Sequence, residues 1–231
     1  MAKNTGREAS SDAPGSAAHF VRRGAKAIQS RDAHTGRRRA EYLALVEWAR
    51  LGGRLLESSF LDRFAYKGYG AEHRVHYDAT ENAAIKVTHP NGFGHSAFGP
   101  GYSATPVEYL KRLAWCNRLL GDNFRLLGVI YDGEQLQVVS SQPWINAHEF
   151  RPHPESSEID SYFKHFGFVR ASDNPDVPLY CTPDFGLLVV DAHDHNVIRD
   201  ANGELAAIDV VIGSPGPALK RDIQDLLAKG S

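Results

Sequence analysis

The chain has 231 residues and a mass of 25.5 kDa, the size of one ordinary domain or of two small lobes sharing a cleft. With 42% apolar and 23% charged residues it can bury a core, and its net charge of −2 excludes a globally basic nucleic-acid binder. The charge is uneven. Residues 1–40 carry nine Lys/Arg against three Asp/Glu, so a basic arm precedes an acidic body.

Two cysteines, Cys116 and Cys181, are too few for a disulfide framework or a four-ligand zinc site. The first thirty residues hold no apolar run of seven, as a secretory signal requires, and no segment reaches the roughly 18 apolar residues of a membrane helix. A cytoplasmic protein with no membrane partner is expected.

Residues 1–38 are rich in Ser, Ala, Gly, Lys and Arg, with Phe20 the only aromatic. Such a stretch buries too little apolar area to offset its ordering entropy and reads as a disordered basic arm. Its cations, among them Arg22, Arg23, Lys26 and the run Arg37 to Arg39, suit a solvated tail, or contact with nucleic acid or an acidic partner. A helix is expected from Ala40 to Arg50, with Leu43, Val46 and Ala49 or Arg50 at helical spacing and Gly52-Gly53 as its stop.

From Ala71 the period becomes that of strands: residues 71–77 and 83–87 flank the turn Asp78 to Asn82 and predict a hairpin. A Gly-rich stretch from Thr88 to Ser103 is long for a plain connection and makes a candidate flap. The next helix has the clearest boundaries, with Thr105 as N-cap, Pro106 in the first helical position and Gly121 beyond the end. A second hairpin follows, 124–131 and 136–141 around Asp132-Gly133. Beyond it the pattern predicts a helix near 158–168, an irregular segment over 173–183, a buried run 186–190, a hairpin of 197–199 with 205–208, and a helix over 217–227.

Four features of this order carry chemistry. Gly68 and Gly70 precede a strand, and two glycines let a backbone turn approach a polyphosphate; a plain turn has the same composition. Ala83-Ala84-Ile85-Lys86 matches the strand motif V-A-I-K, in which the lysine meets nucleotide phosphates, although an exposed strand lysine reads alike. Glu108 is the one acidic residue of its helix. It suits an ion pair with Lys86, or a capping box with Thr105. Last, an apolar strand delivers Asp191 to a loop, Asn196 follows five residues on, and a hairpin returns Asp209 to the same end. One of these groups can accept a hydroxyl proton while two hold Mg²⁺, a hard cation that prefers oxygen. The rival is a zinc site in His193-Asp194-His195, which leaves Lys86 and the glycines unexplained.

Over residues 60–215 these motifs resemble the kinase-like phosphotransferases, closest to the bacterial and phage polyvalent protein kinase domain. Asp191 to Asn196 is similar to the D-x-x-x-x-N catalytic loop and Asp209 to the metal-binding Asp of D-F-G; His193 is similar to the loop histidine of aminoglycoside-type enzymes. The resemblance implies an α+β, two-lobed kinase-like fold with an antiparallel β N-lobe (about 39–143) and a reduced, mainly helical C-lobe (about 144–231). It implies ATP and Mg²⁺ as cofactors and a protein or small-molecule phosphoacceptor. Lys86 would grip phosphates with Glu108 orienting it, Gly68 and Gly70 would cover the nucleotide, and Ser141 and Gln142 would end the last N-lobe strand at an adenine-binding hinge. Asp191 would be catalytic, with Asn196 and Asp209 as metal ligands. Val189 stands where the pattern has His, and Val210-Val211 replace Phe-Gly after Asp209. These departures leave a nucleotide-binding pseudokinase as the alternative.

Overall fold

The computed structural model describes residues 13–26, 33–99, 102–172, 174 and 178–229. Chain contacts divide it into two compact units. One comprises the described residues up to 94 with 103–117 and 123–144; the other comprises 95–102, 118–122 and the residues from 145 onward. The architecture is α+β, rich in strand in its N-terminal part and mixed helix and strand in its C-terminal part.

The N-terminal unit opens with α1 (Ala13–Lys26) and α2 (Ala33–Leu51). This corrects the reading of residues 1–38 as a disordered arm wherever the chain is described; residues 1–12 and 27–32 lie outside the described residues. Ala17, Ala18 and Val21 of α1 are buried, so small side chains seat that helix. In α2 the buried stripe is Ala40, Glu41, Ala44, Leu45 and Ala49, while Leu43, expected inside, is 46% exposed. The stripe keeps helical spacing but is set by alanines, over which neighbouring backbones approach closely.

After β1 (Leu55–Leu56) and a 3₁₀ turn (Ser58–Arg63) come β2 (Ala65–Tyr69), β3 (His73–Asp78) and β4 (Ala83–Thr88). The β3–β4 turn forms as the sequence predicts: Asp78 Oδ1 accepts the Thr80 and Glu81 N–H groups, and Asn82 takes φ 47°. Helix α3 (Pro106–Trp115) carries the full capping box, with Thr105 Oγ1 accepting the Glu108 N–H and Glu108 Oε2 accepting the Thr105 N–H. A second carboxylate serves the same end: buried Glu41 of α2 accepts the Val107 N–H at 3.1 Å. The helix ends in a π turn, Cys116–Leu120, where Asn117 bonds both the N–H and the C=O of Phe124.

Strands β5 (Arg125–Tyr131) and β6 (Leu136–Pro143) complete a six-stranded sheet of order β1-β5-β6-β4-β3-β2, antiparallel except for the β1–β5 pair. Its core includes Leu61, Ile85, Val87, Ile130 and Val139. The β1–β5 junction is tight. Val129 N–H donates to Arg54 O at 2.9 Å, and a Cβ on Gly128 would strike that same carbonyl.

The C-terminal unit holds α4 (Ser156–His165), β7 (Val169–Arg170), β8 (Tyr180–Cys181), β9 (Leu188–Val190), β10 (Val197–Arg199), β11 (Leu205–Ala207), β12 (Val211–Gly213) and α5 (Pro217–Lys229). Among the described residues, two helices accompany one four-stranded sheet, β12-β9-β8-β7, and the β10–β11 hairpin. The expectation of a mainly helical C-terminal part is therefore corrected: two- and three-residue strands, too short to show a period, take that role. Their core contains Ala171, Cys181, Leu188, Val211 and Ile223, with Ala97 from the Gly-rich stretch. Within that stretch Phe93 is 1% exposed; Gly101 and its neighbour at 100 lie outside the described residues. No helix among the described residues is long and apolar enough to cross a membrane.

The Gly128 contact yields a stability prediction. Gly128→Ala forces the β1–β5 junction apart and should lower stability by about 1–3 kcal/mol in urea denaturation. An unchanged midpoint would show that Arg54 moves aside at no cost.

Candidate functional site

In the N-terminal unit, Lys86 sits on β4 between two partners, paired with Val75 of β3 and Ser140 of β6. It is 7% exposed, and its Nζ lies 5.3 Å from the centroid of the Phe124 ring. A lysine held within a central strand is thus what the structure shows, and not the exposed strand lysine the local sequence also allowed. Ser141 and Gln142 are buried near the end of β6, opposite Ile85 and Ala84. Arg125 Nε donates to Ser141 Oγ at 3.4 Å.

Gly68 lies within β2, beside a register shift in the β2–β3 pairing, and a Cβ there would meet open space. Gly70 N–H donates to His73 O at 2.8 Å and closes the hairpin. The loop is tied to α3 by polar contacts that no local motif announces. Glu72 Oε2 lies 2.7 Å from Arg112 Nη2, both side chains being about 5% exposed, and His73 Nε2 hydrogen-bonds the Tyr109 hydroxyl at 3.0 Å. A Cβ on Gly94 would strike the Glu72 carboxylate, and Gly94 has φ +74°. Glu108, expected to orient Lys86, commits its Oε2 to the cap.

In the C-terminal unit, β9 delivers Asp191 to its loop in the left-handed conformation, φ 60°. Asp and Asn tolerate that region best among residues with a Cβ. Asn196 Nδ2 donates to Asp191 O and to Asp191 Oδ2, each at 2.8 Å. Both Asp191 groups are acceptors, which only the NH₂ end of the amide can meet, so Asn196 Oδ1 is turned away from this pair; Nδ2 also lies 3.2 Å from His193 Nε2. The Asn196 backbone carbonyl accepts from Ile208 N–H at 2.8 Å and Asp209 N–H at 3.4 Å. One residue therefore joins Asp191 to the start of the Asp209 segment. His193 completes the loop: its Nδ1 accepts the His195 N–H, which places the ring proton of the neutral form on Nε2, 3.3 Å from Asp191 Oδ1.

Beside this loop is a cavity of about 340 Å³, with walls that include Pro154, Ile159, Tyr180, Ala192, His193 and Asp194. Tyr180 donates its hydroxyl to Asp160 Oδ1 at 2.7 Å, and burial followed by this bond pushes its phenol well above the usual range. Helix α4 is anchored next to it by Glu158, whose carboxylate accepts from the Glu155 N–H at 2.9 Å and from Arg199 Nη2 at 2.6 Å.

The family model for serine/threonine/tyrosine kinases found in polyvalent proteins matches residues 38–213. The chain belongs to this family. No curated protein and no solved structure matches the chain. The polyvalent-protein kinase match covers both units, from α2 through β12, and so includes all the residues singled out above. Sequence reading did not find Glu72, His73, Tyr109 and Arg112, because a buried pair between residues far apart in the chain leaves no spacing to read.

Two predictions follow from these contacts. Arg112→Met strips a buried carboxylate of its cation and should cost about 3–5 kcal/mol, most of it recovered in Glu72→Gln/Arg112→Met; denaturant titration of the single and double variants checks both. The Glu155 N–H first, then Arg199, holds the Glu158 carboxyl below the ordinary glutamate range. Its contribution to stability is thus complete above the ordinary glutamate pKa and is lost as pH falls through the lower folded value. Glu158→Gln should be less stable than wild type at pH 7, with the gap closing in acid; a gap constant with pH would contradict the assignment.

Proposed function

We propose that the protein is an ATP- and Mg²⁺-dependent phosphotransferase. The observation that carries this reading is the double hydrogen bond from Asn196 to Asp191, with the Asp209 N–H on the same residue's carbonyl. It brings the Asp191 and Asn196 side chains together and ties the Asp209 backbone to the same residue, which supports a role for these three residues in phosphoryl transfer. Family membership supports the same chemistry.

In this reading Lys86 binds the α- and β-phosphates, the Gly68–Gly70 turn covers them, and Glu108 orients Lys86 with the carboxylate oxygen that does not cap α3. Backbone groups at Ser141 and Gln142 receive the adenine. Asp191 takes the proton of the acceptor hydroxyl as its oxygen attacks the γ-phosphorus and ADP leaves. The donor set fits the metal: Asn196 Oδ1 and the Asp209 carboxylate are hard oxygen ligands. Bound there, Mg²⁺ supplies charge neutralisation on the phosphates. The cavity beside His193 and Asp194 receives the acceptor, and the setting is the cytoplasm.

A second reading, a nucleotide-binding pseudokinase serving as an interaction module, is favoured by one observation. Asp209 is followed almost at once by β12, which pairs with β9, where a D-F-G loop would leave the sheet. One experiment separates the two. Transfer of γ-phosphate with Mg²⁺ should fall about 10²–10⁴-fold in Asp191→Asn, which keeps the left-handed backbone while removing the base. Lys86→Ala should fall with it, and Asp209→Asn should lose Mg²⁺-dependent nucleotide binding in calorimetry. Equal turnover in wild type and both catalytic variants removes the phosphotransferase reading. Thermal stabilisation by Mg·ATP with no turnover in any of them selects the pseudokinase.

A further inference from the structure

His153, Asp194 and His195 come together although the sequence places the first far from the other two. A ring nitrogen of each imidazole and a carboxylate oxygen of Asp194 all lie within 4.8 Å of one another. His153 and His195 are exposed and Asp194 half-buried, so an ion reaches the group from solvent. The two rings meet edge to face, with centroids 4.7 Å apart and planes at 77°.

The hydrogen bonding sorts the nearby imidazoles. His153 Nδ1 lies 2.9 Å from the Asp194 backbone oxygen. A carbonyl only accepts, so the proton sits on Nδ1 and the Nε2 of the neutral ring keeps its lone pair. That is the arrangement in which protein histidines ligate metals, one nitrogen donating to a carbonyl while the other binds. His193 differs. Its Nδ1 accepts the His195 N–H and its Nε2 faces Asp191, so both nitrogens serve the loop.

We propose that His153, Asp194 and His195 form a binding site for a borderline transition-metal ion of the Zn²⁺ class. Two imidazoles and a carboxylate select Zn²⁺, Co²⁺ or Ni²⁺ over Mg²⁺, which prefers an all-oxygen shell. Ligands of a tetrahedral Zn²⁺ stand about 3.4 Å apart, given Zn–N and Zn–O near 2.1 Å. From separations within 4.8 Å, small side-chain rotations close the set around one ion, with water in the fourth position. The ion would pin the segment leading into α4 to the loop between Asp191 and Asn196. The site is independent of whether that loop transfers phosphate.

The test is calorimetric titration of the full chain with Zn²⁺ alone, repeated in excess Mg²⁺ and followed with Co²⁺ by visible absorption. Wild type should bind a single ion in both titrations and give the intense absorption of tetrahedral Co²⁺. His153→Ala and His195→Ala should each weaken binding by at least about tenfold, while His165→Ala, which alters an imidazole at the far end of α4, should not. Zn²⁺ should raise the thermal midpoint of wild type and leave that of His153→Ala unmoved. His153→Gln, which keeps a polar side chain on this exposed position, guards against a folding defect and should weaken binding likewise. Absence of saturable binding in wild type overturns the site and leaves a hydrogen-bonded staple. Wild-type affinity in both histidine variants overturns it equally.

Discussion

The amide of Asn196 is the constraint on which the loop after β9 in the C-terminal unit rests. Asp191 is exposed and its backbone is left-handed, so packing cannot hold it and its local conformation costs about 1–2 kcal/mol. Two donated hydrogen bonds, one to the strained residue's own carbonyl and one to its carboxylate, stabilise that conformation and aim the side chain. The Asn196 carbonyl then fixes the N–H groups of Ile208 and Asp209. The five-residue spacing from Asp191 to Asn196 is the length of loop this closure needs, and the β10–β11 hairpin sets how far the chain travels before it returns.

The N-terminal unit solves a different problem, which is to keep a cation inside a sheet. Lys86 has strands on both sides, so its backbone is fixed by β3 and β6, and its Nζ lies over the ring of Phe124. Phe124 is itself clipped by Asn117, which ties the end of α3 to the start of β5. The Arg112–Glu72 pair does similar work across the Gly-containing turn. Against an apolar replacement of both partners its worth to stability is small or negative, and what it supplies is a polar link between the turn and α3.

Legibility in the sequence follows the range of the interaction. The Asp78–Asn82 and Asp132-Gly133 turns, the Thr105 cap and the Asp191–Asn196 loop are decided within a few residues, and each was readable from residue type and spacing. Helix α1 was not, because its buried face is Ala17, Ala18 and Val21, whose burial depends on neighbouring helices and not on its own hydrophobicity. Strands β7, β8 and β12 are two or three residues long and exist only through pairing, so no periodicity marks them and the C-terminal part reads as more helical than it is. Residues close together on one loop can be read as a group from their spacing, whereas residues joined across elements cannot. Glu72 with Arg112, and His153 with His195, are of the second kind.

One loop carries two kinds of donor, and their hydrogen bonds keep them apart. In the proposed function Asn196, with Asp209 from beyond the β10–β11 hairpin, presents oxygen, suited to a hard cation that keeps several waters. His195 presents nitrogen, suited to a borderline ion. Between them His193 turns both ring nitrogens into the loop, where Nδ1 takes the His195 N–H and Nε2 meets the Asp191 carboxylate. A histidine so engaged is a poor ligand, since binding a metal through either nitrogen breaks a bond that shapes the loop. The consecutive His193-Asp194-His195 therefore does not act as one chelating run: its first histidine belongs with Asp191 and its last with His153, and the chemistry divides at Asp194.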